Sequence, residues 1–144
     1  MADCLFCSIV AGDVPAQHVL DDPDAVGFLD ARPLFKGHVL VVPREHRETL
    51  TDMPADALGG FFATVQRVTA AVERAMGSAG SFVALNNRVS QSVPHLHVHV
   101  VPRNRKDGLR GFFWPRTKYA DDTEAADYAD RIRTALVDGN TDRP

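Results

Sequence analysis

The 144-residue chain has only two cysteines and one tryptophan, and neither sign of charge dominates, with 16 Lys and Arg against 19 Asp and Glu. Two cysteines cannot build the disulfide framework that holds small secreted domains together. A formal charge of −3 and a pI near 6.0 give no broad basic field for sequence-independent nucleic-acid binding. That balance makes nucleic acid an unexpected partner and suits a small, locally focused ligand. No stretch approaches the ~20 apolar residues of a membrane span. The opening MADCLFCSIVAG also lacks the basic leader and the length of a secretory signal. The expectation is a cytoplasmic protein with no membrane partner.

At 44% hydrophobic and 24% charged residues, the composition is that of one globular domain with a real core. AVGFLD, Ala25 to Asp30, and HVLVVP, His38 to Pro43, have the pattern of two strands joined by a loop containing Pro33 and Gly37. From Pro54 to about Met76, Leu58, Phe61, Phe62, Val65, Val68, Ala71 and Val72 recur at three- and four-residue steps. This predicts one long helix, with Thr51 and Asp52 as possible caps and Gly77 as its stop. Ser81 to Leu85 and His95 to Val101 follow as strands, and Thr123 to about Leu136 as a second, C-terminal helix. Strands in short consecutive blocks without βαβ alternation predict an α+β fold, with a mainly antiparallel sheet of about five strands covered by the long helix.

The feature that packing does not account for is PHLHVHVVPR, Pro94 to Arg103, which places three of the six histidines on alternate positions. On a strand, His95, His97 and His99 share one face, and Leu96, Val98 and Val100 the other. Three readings are open: half-exposed structural histidines, ligands of one metal, or a row of imidazoles facing an anion. Outer members of the row lie roughly 13 Å apart, too far for all three to meet one ion through ~2 Å bonds. Imidazoles facing an anion can divide the work of nucleophile, acid or base, and charge stabiliser. The Cys4 and Cys7 pair is likewise open to redox, half a zinc site, or chance, although no thioredoxin-like βαβ setting surrounds it.

QSVPHLHVHVVPR resembles the histidine triad family, marked by H-x-H-x-H-x-x with apolar residues at x. CLFCSIVAGDVPA, the block GFLDARPLFKGHVLVVPREH and the helix after it are similar to the family's earlier segments in the same order. The resemblance spans about Cys4 to Arg103, so residues 1–144 are expected to form a single domain of this type, with 104–144 a variable C-terminal extension. It implies a hydrolase or nucleotidyl transferase acting at the α-phosphate of purine nucleotide conjugates, such as phosphoramidates or dinucleoside polyphosphates. His97 would be the nucleophile forming a nucleotidyl-histidine, and His99 the histidine on the phosphate and leaving-group side. His38 would line the site, and Gln91 and Ser92 would contact the phosphate or leaving group. Asp30 matches the ribose-binding acid. Leu5, Phe6, Ile9, Phe28 and Leu29 would form the base slot, and Asn86 or Asn87 would correspond to a pocket asparagine. The alternative class is a nucleotide-binding or sensing protein that uses the same pocket without turnover.

The resemblance also implies a structural zinc held by Cys4, Cys7, His46 and His95, and a twofold homodimer through the long helix and a neighbouring strand. Phe61 and Phe62 together exceed one narrow apolar stripe and could serve that interface. Two departures bear on the leaving group: the loop NNRVSQ is short, and Ser90 stands where glycine is common. His18 is expected to be merely exposed. The segment from Arg103 to Tyr119, with Phe112, Phe113 and Trp114, is open to two readings: a flap that supplies positive charge near the site, or a solvated basic loop.

Overall fold

The computed structural model describes residues 3–110 and 115–139. The chain divides into two units, residues 1–107 and residues 108–144. The first holds a five-stranded antiparallel sheet in the order β1-β2-β3-β5-β4, made of β1 (His18–Asp21), β2 (Ala25–Leu29), β3 (Val39–Pro43), β4 (Gly80–Ala84) and β5 (Val98–Arg103). The expected α+β architecture is therefore present. Two helices belong to this unit, α1 (Leu5–Ala11) and α2 (Ala55–Met76), and α3 (Asp122–Gly139) belongs to the second.

Alternation along the strands builds two cores. Val39 and Val41 of β3 point with Ala25, Val98 and Val100 toward α2, where Phe61, Val65, Val68 and Val72 form the facing stripe. Leu40 and Val42 point with Val26 and Phe28 to the opposite face, where Phe6 and Ile9 of α1 close over them. β3 is thus buried on both sides, which its unbroken apolar run HVLVVP requires of a central strand. Phe61 is part of the α2 core at 1% exposure, so of the two phenylalanines considered for an interface only Phe62, at 37%, is open to one.

The structure corrects several boundaries. The histidine run enters its strand only at Val98, because the backbone before it bonds to loops rather than to the ladder. The His95 N–H donates to the Val93 carbonyl at 2.8 Å and the Leu96 N–H to the Arg47 carbonyl at 2.6 Å. Asp52 does not cap α2. Its carboxylate accepts from the Thr49 N–H (2.9 Å) and hydroxyl (2.7 Å), closing a 3-10 turn over Leu50–Asp52, and Pro54 occupies the N-cap of α2. α1 and β1 are additional to the elements read from periodicity. Gly77 ends α2 as expected, at φ +58°.

A turn follows β5, across which Arg103 Nε reaches Asp107 Oδ2 at 2.5 Å and Arg103 Nη2 reaches Oδ1 at 3.1 Å, so this arginine is engaged by a carboxylate. Phe112, Phe113 and Trp114 lie outside the described residues. Within the second unit, the rings of Tyr119 and Tyr128 are 5.6 Å apart. Among the described residues no helix is long and apolar enough to cross a membrane.

Candidate active site and metal centre

Cys4 caps the N-terminus of α1, its Sγ accepting from the Cys7 N–H at 3.4 Å, so one short helix presents both sulfurs to the same side. His46 follows β3, and His95 enters from the segment before β5. Cys4 Sγ lies 3.4 Å from His95 Nδ1, Cys7 Sγ 3.3 Å from His46 Nδ1 and 3.5 Å from His95 Nδ1. All four donor atoms lie within 4.8 Å of one another. A tetrahedral ion with ~2.3 Å bonds to sulfur and ~2.0 Å to nitrogen sets S···N near 3.5 Å, so the spacing is that of a metal shell.

The ring of His95 supports the same conclusion. Its Nε2 is 2.9 Å from the Pro43 carbonyl and must donate to it, which leaves the Nδ1 lone pair facing the sulfurs. Burial, followed by the nearby thiol of Cys4, pushes the Cys7 thiol above its ordinary range. A cation between two sulfurs reverses that cost by stabilising thiolates. The residues therefore fit a metal of zinc type held by four protein ligands. Such a closed shell serves structure, and it leaves no open position for substrate.

The other histidines form a second cluster whose tautomers follow from one fixed donor. The Leu34 N–H donates to His38 Nδ1 at 3.1 Å, so the proton of His38 is on Nε2. That Nε2 lies 2.9 Å from His99 Nδ1 and 3.7 Å from Asp30 Oδ2. His99 thus accepts on Nδ1 and carries its own proton on Nε2. Asp30, His38 and His99 have donor spacing that could suit a metal, but a metal on His38 Nε2 would leave both ring nitrogens without a proton. His38 and His99 instead form a hydrogen-bonded relay, with the Asp30 carboxylate beside it and beyond hydrogen-bond reach. His97 has the opposite assignment: Nδ1–H donates to the His95 carbonyl at 2.8 Å, leaving Nε2 with a free lone pair. Its ring is 4% exposed and lies 5.0 Å from that of His99.

Burial pushes His38 and His99 below the usual imidazole range, against the opposing pull of the Asp30 carboxylate. His99 falls to about 4, with His97 and His38 adding to the effect of burial. His95 is likewise lowered, by burial first. Near neutral pH, His99 is therefore an uncharged hydrogen-bond donor, not a cation.

His97 and His99 form one end of a cleft of about 610 Å³, together with Ser92. Asp30 lines the cleft, its other carboxylate oxygen accepting from the Arg32 N–H at 2.9 Å. Leu5, Phe6, Ile9, Phe28 and Leu29 make an apolar wall. A volume of this size suits a nucleotide-sized ligand. Four of the residues expected at the site do not line it: His38, which is buried and reaches the cleft only through its bond to His99, and three residues of the loop before the histidines. Gln91 donates through Nε2 to the Glu48 carbonyl (2.6 Å) and accepts from the Arg88 N–H (2.7 Å). Asn87 Oδ1 accepts from the Leu50 N–H at 2.9 Å, and Asn86 Nδ2 reaches the Ser90 carbonyl at 3.3 Å. These side chains staple the loop before the histidines, in which Arg88 and Ser90 adopt positive φ.

Gln17, Arg32, Leu40 and Val93 line the cleft without having been singled out in the sequence. The turn signal of PAQ and the position of Arg32 two residues after Asp30 were the available cues. His18, at the start of β1, is exposed, with its ring 6.2 Å from Phe28.

Residues 11–106 match the family model described as the HIT domain. An uncharacterised HIT-like protein of Methanocaldococcus jannaschii is 42% identical over 107 residues, covering 73% of this chain and 82% of that protein. The adenosine 5′-monophosphoramidase of Schizosaccharomyces pombe is 33% identical over 114 residues, covering 78% and 83%. The crystal structure of a Zn-bound histidine triad family protein from Mycobacterium smegmatis is 33% identical, with a TM-score of 0.71 and 99% of each chain covered.

Proposed function

The chain belongs to the histidine triad (HIT) family, and on that premise we propose that it cleaves the α-phosphate bond of purine nucleotide conjugates through a nucleotidyl-His97 intermediate. The observation that carries this reading is the tautomer of His97: its Nδ1–H is held by the His95 carbonyl, so Nε2 faces the cleft as a free nucleophile. A phosphoramidase and an adenylylsulfatase among the relatives support nucleotide hydrolysis as the class of reaction.

His97 Nε2 attacks the α-phosphorus as the bond from phosphorus to the leaving group breaks. The leaving group departs with that electron pair and takes a proton that solvent supplies through the Ser92 hydroxyl, while His99 Nε2–H donates a hydrogen bond to the phosphate. The Nδ1–H bond to a carbonyl steadies the positive imidazole of the intermediate. Water then attacks phosphorus, breaks the N–P bond and releases a nucleoside monophosphate, the water's proton passing to solvent through the Ser92 hydroxyl and His97 Nε2 recovering its lone pair. Asp30 accepts from the ribose hydroxyls, and the wall of Phe6, Ile9 and Phe28 receives the base. A zinc ion on Cys4, Cys7, His46 and His95 supplies structural closure and takes no part in these steps.

Cys4 and Cys7 as metal-held thiolates fit a reducing, cytoplasmic setting. A twofold dimer through α2 and edge strand β4 is supported by Phe62 and Val83, which are 37% and 43% exposed.

The test is AMP formation from adenosine 5′-phosphoramidate and from diadenosine tetraphosphate, with acid-quench trapping of the intermediate. The wild type is expected to release AMP, and His97→Asn to lose at least ~10³-fold in rate. AMP binding without product from either substrate would move the protein to the nucleotide-binding, non-catalytic class.

A further inference from the structure

The metal centre and the nucleotide cleft share one helix and one peptide carbonyl. Both sulfurs sit at the start of α1, and Phe6, between them in sequence, sends its ring into the cleft wall. That ring meets His97 edge-on at 5.0 Å, Phe28 at 5.4 Å and His95 at 6.0 Å. Leu5 and Ile9 of the same helix line the cleft beside it. From the other side, His95 places Nδ1 among the metal donors, while its carbonyl holds the His97 Nδ1–H at 2.8 Å.

A seven-residue helix does not hold itself together in water. Two things fix α1 on the sheet: the burial of Phe6 and Ile9 against Val26, Phe28, Leu40 and Val42, and the donor set that ties Cys4 and Cys7 to His46 and His95. Of the cleft's apolar lining, Leu5, Phe6 and Ile9 therefore owe their place in part to that tether, whereas Phe28, Leu29 and Leu40 belong to the sheet or border it.

We propose that metal binding and nucleotide binding are thermodynamically coupled through α1, with Phe6 as the positioning residue that carries the coupling. This rests on the nucleotide reading given above. Metal on the sulfurs fixes α1, which sets Phe6 as a wall of the base slot and seats the His97 ring. A nucleotide resting on Phe6 in turn holds the sulfurs in place for the metal. Linkage requires the two effects to be equal: the factor by which nucleotide tightens metal is the factor by which metal tightens nucleotide.

The experiment loads the full chain with Zn²⁺ and follows its transfer to a chromophoric chelator with and without saturating AMP. Calorimetry of AMP binding is run in parallel. AMP is expected to raise the apparent zinc affinity by a factor in the range of about 5 to 150. Phe6→Ala keeps all four ligands, and its coupling factor is expected to fall toward one. Asp30→Asn weakens AMP from the β2 side of the cleft, and at saturating AMP it is expected to keep the wild-type factor. Should Phe6→Ala fail to fold, Phe6→Leu takes its place, with a factor between one and that of the wild type.

AMP binding that leaves zinc transfer unchanged in the wild type overturns the coupling and leaves the nucleotide reading standing. Equal loss of the factor in Phe6→Ala and Asp30→Asn overturns the route through Phe6. No AMP binding by calorimetry overturns this inference together with the nucleotide reading.

Discussion

Four histidines in this chain have the proton on one ring nitrogen assigned by a neighbouring backbone group or by each other. His95 donates to Pro43, His97 to the His95 carbonyl and His38 to His99, with the Leu34 N–H occupying the remaining nitrogen of His38. Protonating His38 or His99 breaks this sequence, which has a consequence for stability. The folded pKa of His99 lies near 4 against an ordinary 6.5, and that of His38 is also lowered. Between those limits the unfolded chain binds more protons than the folded one, so stability rises with pH across that window. The contribution is complete above about 6.5 and is lost as pH falls toward the folded value. Urea unfolding at pH 7.5, 6.5 and 5.5 is expected to show the midpoint falling with pH, and falling less steeply in His99→Gln. An equal slope in the two proteins would remove His99 from this account. The identities of these histidines are visible in the sequence, but their tautomers are not. Those depend on where the carbonyls of Pro43 and His95 and the amide of Leu34 are placed by the fold.

At the scale of elements, the loop from β2 to β3 holds the relay in place. Gly37 adopts φ +97°, and a Cβ there would stand 2.6 Å from the sulfur of Met76 at the end of α2. Gly37→Ala is expected to cost roughly 1–3 kcal/mol by urea denaturation, through the strained φ. Because His38 is the next residue, kcat is expected to fall as well. A variant that unfolds earlier with kcat unchanged would separate the loop's packing from its positioning role. The long helix was legible because its 3.6-residue period persists over some twenty residues, and the histidine run because three histidines alternate with apolar residues, although only its last part lies in β5. α1 was not, because seven residues give too short a window and its cap is a cysteine. β1 alternates weakly, its residues being mostly exposed. The cleft's apolar wall and Asp30 could be located from the sequence. The work of Gln91, Asn86 and Asn87 could not, because polar residues beside a site look alike whether they face a ligand or staple a loop.

Considered as a whole molecule, the first unit is fastened by two apolar cores and by four metal donors that join residues 4 and 7 to residues 46 and 95. Folding energy from such a site is lost when the ion is removed. Excess chelator is expected to lower the thermal midpoint by on the order of 10 °C, as a loss of a few kcal/mol would in a domain of this size. His46→Ala is expected to make the midpoint insensitive to chelator. For the proposed dimer, Phe62→Arg places a charge on the exposed flank of α2 and is expected to convert dimer to monomer in sedimentation without loss of helical signal. A wild type that sediments as a monomer would set the dimer aside.

The four donors are also separated in time. His95 follows His46 by 49 residues of chain, most of them α2 and β4. At a synthesis rate of ~5–20 residues per second, that interval is roughly 2–10 s. A growing chain therefore emerges from the ribosome with two thiols and one imidazole already made and the fourth donor still to come. Capture of a thiophilic ion at this stage would fill an open, three-donor site, and arrival of His95 would then close it and bring His97 two residues behind.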